Sequence, residues 1–287
     1  MISGLLKEIK ESDVLSELKT FDTRYQENDT PDVYKKCLSF LDLTSLNITD
    51  NHARIEALTQ KAVEMPEHYG VPSVAAICVS PLFIETVGVT LGNNETIGIA
   101  STVGGFPLSQ TYLEVKMLEC SMAVENGADE VDMVFDLGEF LTGNYEEVKS
   151  EIEIIKEEIS GDALLKIIIE SGEIKNPSFI RTASLLAMEA GADFVKSSTG
   201  KTPVSATPEA AVIMCHAIRD FYEATGMKKG IKLAGGITTA EQAVHYYTIV
   251  KEILGETWLT PELFRIGASR LANDLLSKIT GKPVVFF

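Results

Sequence analysis

From about residue 39 to the end of the chain, short apolar runs alternate with amphipathic stretches of helical length. This is the pattern of repeated strand and helix units. Eight units can be counted, with strands at SFLDLT (39–44), SVAAICV (73–79), TIGIAST (96–102), DEVDMVF (129–135), ALLKIIIE (163–170), DFVKSS (193–198), GIKLAGG (230–236) and LFRIG (263–267). Each is followed by a stretch patterned as a helix. Ser80-Pro81, Asn176-Pro177 and Thr207-Pro208 read as an N-cap followed by proline in the first turn, where a missing N–H costs nothing. Thr238 with Glu241 fits a capping box. Gly-Ala-Asp recurs at 127–129 and 191–193, where a helix must end and a strand begin, a weak echo of a half-barrel repeat.

Eight parallel units without a long structureless insertion predict a single closed (β/α)8 TIM barrel over residues 39–287. No GxGxxG follows the first strand to favour an open doubly wound sheet. Residues 1–38 fall outside the units and predict a helical extension of one or two helices, one of them started by Thr30-Pro31. With no linker of Gly, Ser or Pro behind them, they are expected to pack on the barrel and cap its amino-terminal end.

Composition narrows the partners. Of 287 residues, 25 are basic and 42 acidic, and the formal charge of -17 repels nucleic acid and anionic membranes alike. A phosphorylated ligand then requires that basic groups be concentrated at its site. Cys37, Cys78, Cys120 and Cys215 lie far apart without a CxxC pair, which argues against a disulfide framework or a structural zinc. No apolar run reaches membrane-spanning length and no apolar leader precedes Lys7. The expected location is the cytoplasm.

Side chains in a strand alternate between faces, and in a barrel the oily set must face the helices. In DEVDMVF, outward Val131, Met133 and Phe135 send Glu130, Asp132 and Val134 into the lumen. The same reasoning turns Lys232 inward, with Lys166, Ile168 and Glu170 on the fifth strand, Asp42 and Thr44 on the first, and Cys78 with Val74 and Ala76 on the second. In DFVKSS, Lys196 shares its face with Phe194 and Ser198, so the alternation is less decisive there. Taken singly, any of these charges fits a structural ion pair; together, at equivalent strand ends, they predict a site. His52, His68, His216 and His245 fall in helical stretches or their flanks and read as ordinary helix positions.

A lysine attacks a carbonyl only when neutral, and at an ordinary pKa of about 10.4 less than ~0.1% is neutral at pH 7. A second ammonium nearby, or burial, lowers that value. Lys196 and Lys232, on adjacent strands, can supply the coupling, and the residues leave open which of them reacts. An inward carboxylate such as Asp132 suits a proton relay. Barrel phosphate sites gather at the loops after the seventh and eighth strands. Here these loops carry Gly235-Gly236 and Gly267-Ala268-Ser269, whose backbone amides can approach an anion. Ser197-Ser198-Thr199-Gly200-Lys201 adds hydroxyls and a cation.

The segments LDLTSL (41–46), AAICVSP (75–81), GADEVDMVF (127–135), LLKIIIESGE (164–173), GADFVKSSTGK (191–201), GIKLAGGITT (230–239) and RIGAS (265–269) together resemble the deoxyribose-phosphate aldolase family. The resemblance implies that Lys196 forms a Schiff base, Lys232 tunes it and Asp132 serves the proton relay. It further implies that Asp42, Thr44, Cys78, Lys166 and Thr199 contact the substrate. Gly200, Lys201, Gly235, Gly236, Gly267 and Ser269 would hold its phosphate. The implied reaction is reversible cleavage of 2-deoxy-D-ribose 5-phosphate to glyceraldehyde 3-phosphate and acetaldehyde, in deoxyribonucleoside catabolism, without metal or organic cofactor. A homo-oligomer, as a homodimer, is the expected assembly.

The chain departs from that pattern at Leu233 and Arg270, where proline and serine are common, in its longer leader, and in ending on Phe286-Phe287 without a terminal tyrosine. Arg270 could turn into the site or lie on a helix facing solvent. A barrel isomerase working without a covalent intermediate and a non-catalytic sugar-phosphate binding protein remain the alternatives; a metal-dependent aldolase lacks a histidine pair at ligand spacing.

Overall fold

The computed structural model describes residues 4–159 and 161–287. The chain opens with α1 (Glu11–Thr20), α2 (Asp22–Asn28) and α3 (Pro31–Ser39), then alternates β1 (Leu41–Thr44), α4 (His52–Tyr69), β2 (Ala76–Val79), α5 (Ile84–Leu91), β3 (Gly98–Val103), α6 (Leu113–Glu125) and β4 (Glu130–Val134). It continues with α7 (Leu137–Thr142), α8 (Tyr145–Glu158), β5 (Leu164–Ile168), α9 (Ser171–Ile174), α10 (Pro177–Glu189), β6 (Phe194–Lys196) and α11 (Pro208–Thr225). Last come β7 (Gly230–Ala234), α12 (Ala240–Leu254), β8 (Phe264–Ala268) and α13 (Leu271–Thr280). The strands pair in chain order, all parallel, and β8 closes on β1. The TIM barrel expected from the alternation is therefore present.

Most strands are shorter than the apolar runs that announce them, and β8 is shifted by one residue instead. β7 stops at Ala234 because Gly235 and Gly236 adopt φ of 88° and 76°, where a side chain is strained. Thr30, Asn176 and Thr207 cap their helices through side-chain oxygens as expected. Two start signals differ. Ser80-Pro81 opens a 3-10 turn, Pro81–Phe83, without a side-chain cap. The capping box is Thr239 with Gln242, one residue beyond the Thr238–Glu241 reading; Gln242 also accepts from the Thr238 N–H.

The leader forms three short helices instead of one or two. They pack on the outer helices, α1 on α11, α2 on α12 and α3 on α12 and α13. Asn28 ties to Thr248 at 3.0 Å, and buried Arg181 holds the carbonyl of Leu5. Residues 1–3 of the expected extension lie outside the described residues. No helix among the described residues is long and apolar enough to cross a membrane.

The lumen is filled unevenly. On β2 and β3 it receives small side chains, Ala76, Cys78 and Ala100, which form their own buried cluster. From β4 through β8, and from β1, it receives long charged ones. Phe194 enters from β6, which settles the face of that strand: Lys166 and Arg265 both lie over its ring at 5.8 Å. Gly230 makes the space, since a Cβ there would come within 2.3 Å of the Phe194 ring.

Candidate active site

Seven charged side chains converge in the lumen: Asp42, Glu130, Asp132, Lys166, Lys196, Lys232 and Arg265, none more than 6% exposed. Strand register brings them together, pairing Asp132 with Lys166, Lys196 with Lys232, and Lys232 with Arg265 across neighbouring strands. Arg265 donates to Asp42 at 2.7 Å and forks onto both oxygens of Glu130 at 3.0 and 2.7 Å. Lys166 bonds Glu130, Asp132 at 3.1 Å and, at 3.7 Å, Asp42. Lys232 bonds Asp42 and, at 2.7 Å, Asp132 Oδ2. Lys196 donates to that same oxygen at 2.7 Å.

Four cations thus face three carboxylates, and one positive charge is in excess. Lys196 is the group best placed to give it up. Among the described residues it meets one carboxylate, whereas each of the other three cations meets two or three. Burial pushes Lys196 below the ordinary lysine value, with Lys232 adding to the effect and Asp132 opposing it. Burial also works on Lys232, but Asp132 and Asp42 outweigh it and hold this ammonium well above the ordinary value. For Asp132, burial is overcome by Lys166, Lys196 and Lys232, which keep it ionised far below the usual carboxylate range. The structure therefore separates two lysines that the residue pattern left equivalent.

Above this floor opens a cavity of ≈ 200 Å³. Its lining includes Thr44, Lys196 and Lys232 at the base, and Thr199, Gly200, Lys201, Gly235, Gly236, Gly267, Ser269 and Arg270 around the mouth. The N–H groups of Gly235, Gly236 and Ser269 donate to no protein acceptor among the described residues. The start of α13 stands beside them and adds its positive end, so the mouth can take an anion. At Gly235 a Cβ would strike Ser205 and Ser198, so glycine both permits φ 88° and lets the loops after β6 and β7 touch. At Gly267 a Cβ would press Lys232 Cε at 3.2 Å. Lys201 is exposed and its Nζ donates to the Leu46 carbonyl at 2.5 Å, bridging the loops after β6 and β1.

Every residue read as catalytic or phosphate-binding lies in this lumen or its mouth. Thr44 and Thr199 line the cavity, whereas Asp42, Cys78 and Lys166 do not; they lie fully buried outside its lining. The ion network, not a substrate contact, is what the structure shows for Asp42 and Lys166. Arg270 is exposed at the N-cap of α13 and borders the mouth. All four histidines lie on outer helices, α4, α11 and α12.

The DeoC/LacD family aldolase model matches residues 37–258. The chain belongs to that family. It is 40% identical over 256 residues to the deoxyribose-phosphate aldolase of Mus musculus, covering 85% of this chain and 80% of that one. It is likewise 40% identical over 254 residues to that of Homo sapiens, with the same coverage. A tetrameric deoxyribose phosphate aldolase from Aeropyrum pernix shares the fold, with a TM-score of 0.67 and 23% identity over 95% of this chain and 99% of that one. The barrel is thus that of an aldolase, a carbon-carbon lyase.

Arg265 and Phe106 of the aldolase site are not picked out by the sequence pattern, and Glu170 lies elsewhere than the pattern predicts. Arg265 follows the alternation used elsewhere, because outward Phe264 and Ile266 leave it inward, but it was read as part of an apolar run. Phe106, half-buried in the loop after β3, stands 5.9 Å from Lys196 Nζ, and no local signal marks it. Glu170 was placed on the lumen face, yet β5 ends at Ile168 and Glu170 turns aside with φ 49°.

Proposed function

We propose that this aldolase reversibly cleaves 2-deoxy-D-ribose 5-phosphate to glyceraldehyde 3-phosphate and acetaldehyde through an imine on Lys196. The carrying observation is a buried lysine, lowered in pKa and held by one carboxylate, at the base of a cavity whose mouth presents unpaired amides. Neutral Lys196 adds to the C1 aldehyde of the open-chain sugar, and loss of water gives an iminium. Transfer of the C3 hydroxyl proton to the Asp132 relay breaks the C2–C3 bond and sends its electron pair into the iminium. Glyceraldehyde 3-phosphate leaves, and an enamine remains. Protonation of the enamine and hydrolysis of the imine release acetaldehyde.

In the free site the surrounding ammonium groups hold Asp132 ionised, so it is ready to take up the C3 hydroxyl proton, and the Lys232 ammonium beside it passes a proton on to the enamine carbon. Thr44 lines the base of the cavity along the sugar, Thr199 lines it with its hydroxyl already engaged by Glu170, and Gly200, Lys201, Gly235, Gly236, Gly267, Ser269 and Arg270 surround the phosphate end. The product chemistry fits deoxyribonucleoside breakdown in the cytoplasm. Reductive trapping with borohydride and deoxyribose 5-phosphate tests the assignment: the adduct is expected on Lys196, Lys196→Ala is expected to abolish it, and an adduct on Lys232 overturns the reading.

We also infer that the aldolase pairs with a second copy through α5 and α6. Leu82, in the turn before α5, lines one groove with Val115, Leu118 and Met122 of α6, and Val89, Leu108 and Tyr112 of the same segments are also exposed. Large exposed apolar side chains gathered on neighbouring segments are the kind of surface that marks a protein–protein interface. The loop carrying Leu108 and Tyr112 also carries Phe106, so pairing would steady the ring beside Lys196. Sedimentation velocity is expected to show a dimer that Leu118→Glu converts to monomer. A monomeric parent, or a dimer untouched by Leu118→Glu and Met122→Glu together, refutes this face.

A further inference from the structure

Glu170 lies just past β5 and is one of three non-glycine residues with positive φ among the described residues, the others being Ser109 and Lys175. The left-handed conformation costs such a residue about 1–3 kcal/mol, so something must hold it there. Its side chain is 3% exposed. Its carboxylate accepts from a single loop: the Thr199 N–H reaches both oxygens at 3.3 Å, the Thr199 hydroxyl reaches Oε2 at 2.5 Å, and the Thr202 hydroxyl reaches Oε1 at 3.2 Å. No lysine or arginine pairs with it among the described residues. Thr199 supplies two donors, and the single proton of the Thr202 hydroxyl is shared between Oε1 and the Val204 carbonyl, 2.9 Å away. A carboxylate is acceptor-only and matches them, whereas an amide would turn an N–H₂ toward one of them.

The linkage continues into the cavity mouth. The Thr199 hydroxyl, its proton given to Glu170, accepts the Lys201 N–H at 3.0 Å. Beside it the Gly200 N–H donates to Ser198 Oγ, which donates in turn to the Ala234 carbonyl at 2.7 Å. Backbone contacts brace the same pair of segments: the Ser171 N–H meets the Ser197 carbonyl at 2.9 Å. At Gly172 a Cβ would overlap the Val204 carbonyl, so this stretch is packed directly against the loop. Gly200 rests on Gly235, so the loop after β6 sets the position of the loop after β7 as well.

We propose that Glu170 is a positioning residue for the phosphate end of the site, acting through Thr199 on Gly200 and Lys201 without touching substrate. The inference rests on the phosphate site proposed above. A loop fixed in advance pays no ordering cost when the anion binds; one released from Glu170 must be ordered by the ligand itself. The effect then falls on binding of the phosphate and spares the chemistry at Lys196.

The test compares the parent with Glu170→Gln on deoxyribose 5-phosphate, on unphosphorylated deoxyribose, and with inorganic phosphate as inhibitor. KM for the phosphorylated sugar and Ki for phosphate are expected to rise about tenfold, the worth of one hydrogen bond to a charged group. KM for deoxyribose and the rate of reductive trapping with acetaldehyde are expected to stay at parental values. Thr202→Val, which removes one donor from the other side, is expected to move the same two constants by a smaller factor and keeps the test alive if Glu170→Gln does not fold. Parental phosphate Ki in both variants, or equal losses on the two sugars, overturns the proposal. If the parent itself does not turn over deoxyribose 5-phosphate, the proposed reaction fails instead, and phosphate binding still decides the role of Glu170.

Discussion

Replacing Lys232 by methionine removes a charge while keeping most of the side-chain volume, and it isolates the coupling that readies Lys196. Both ammonium groups donate to Asp132 Oδ2 at 2.7 Å, so they stand no more than twice that, 5.4 Å, apart. At an effective dielectric of about 20, unit charges at that distance repel by ~3 kcal/mol, which is on the order of 100-fold in the fraction of Lys196 that is neutral. The variant also leaves the Asp132 charge less compensated, which holds Lys196 protonated more firmly still. Lys196 is active when neutral, so lost activity is expected to return as pH rises. The assay is the rate of reductive trapping with acetaldehyde between about pH 6 and 10, followed beside kcat/KM for cleavage. Trapping is expected to fall about 100-fold near neutral pH and to recover in the alkaline range. Cleavage is expected to stay impaired even there, because Lys232 is also the proton source. A folded variant whose trapping profile overlays the parent's refutes the electrostatic argument, and recovery of cleavage alongside trapping refutes the proton role.

Ser269→Asp is expected to raise KM for deoxyribose 5-phosphate by 10-fold or more, roughly one charge-charge repulsion at the mouth, with little change for unphosphorylated deoxyribose; steady-state kinetics on both sugars checks it. Because Arg270 lines that mouth, Arg270→Ser is expected to raise the same KM several-fold, and no change would place its guanidinium in solvent. Arg265→Leu leaves Asp42 and Glu130 short of their shared cation and is expected to cost about 3–5 kcal/mol, a fall in Tm of roughly 10 °C or more by calorimetry. Asp42 and Asp132 are held below the ordinary carboxylate range by the lysines and Arg265 that outweigh their burial. Their stabilisation is therefore complete above an unfolded value of about 3.9, declines below it and is gone once pH falls through the lower folded values, so acid unfolding followed by circular dichroism is expected to begin only below about pH 4. Cys78 is fully buried, absent from the cavity lining and raised in pKa chiefly by burial. Concentrated acetaldehyde is thus expected to inactivate the parent and Cys78→Met at comparable rates, and protection in the variant would show that the thiol is reached.

Period-two alternation was enough to turn Asp42, Asp132, Lys166 and Lys232 inward, because each is flanked by oily neighbours that can only face helices. It was less decisive for Lys196, whose face holds Phe194, an apolar ring that the lumen accepts only because Gly230 clears space for it. That clearance is a relation between two strands and has no local signature. The same holds for the count of carboxylates around each lysine, which depends on register. Adjacent threonines made the capping box ambiguous by one residue, and the break between α1 and α2 at Phe21 carries no glycine or proline to announce it. The mouth was legible through its glycines. The hold of Glu170 on the loop after β6 was not, because a residue past a strand end no longer obeys the strand's alternation.

One oxygen, Asp132 Oδ2, accepts from Lys196 and Lys232 at once. When the Lys196 nitrogen becomes part of an imine and ceases to donate as an ammonium, Lys232 still satisfies that oxygen, and Lys166 still satisfies its twin. In the proposed cycle, forming the imine therefore leaves both Asp132 oxygens with an ammonium partner, and the walls of the barrel need not shift as it forms. The electrostatic work of readying the nucleophile is done once, when the chain folds, instead of at each turnover. A preorganised floor of this kind permits covalent chemistry at the bottom of a close-packed lumen, where solvent could not rearrange to help.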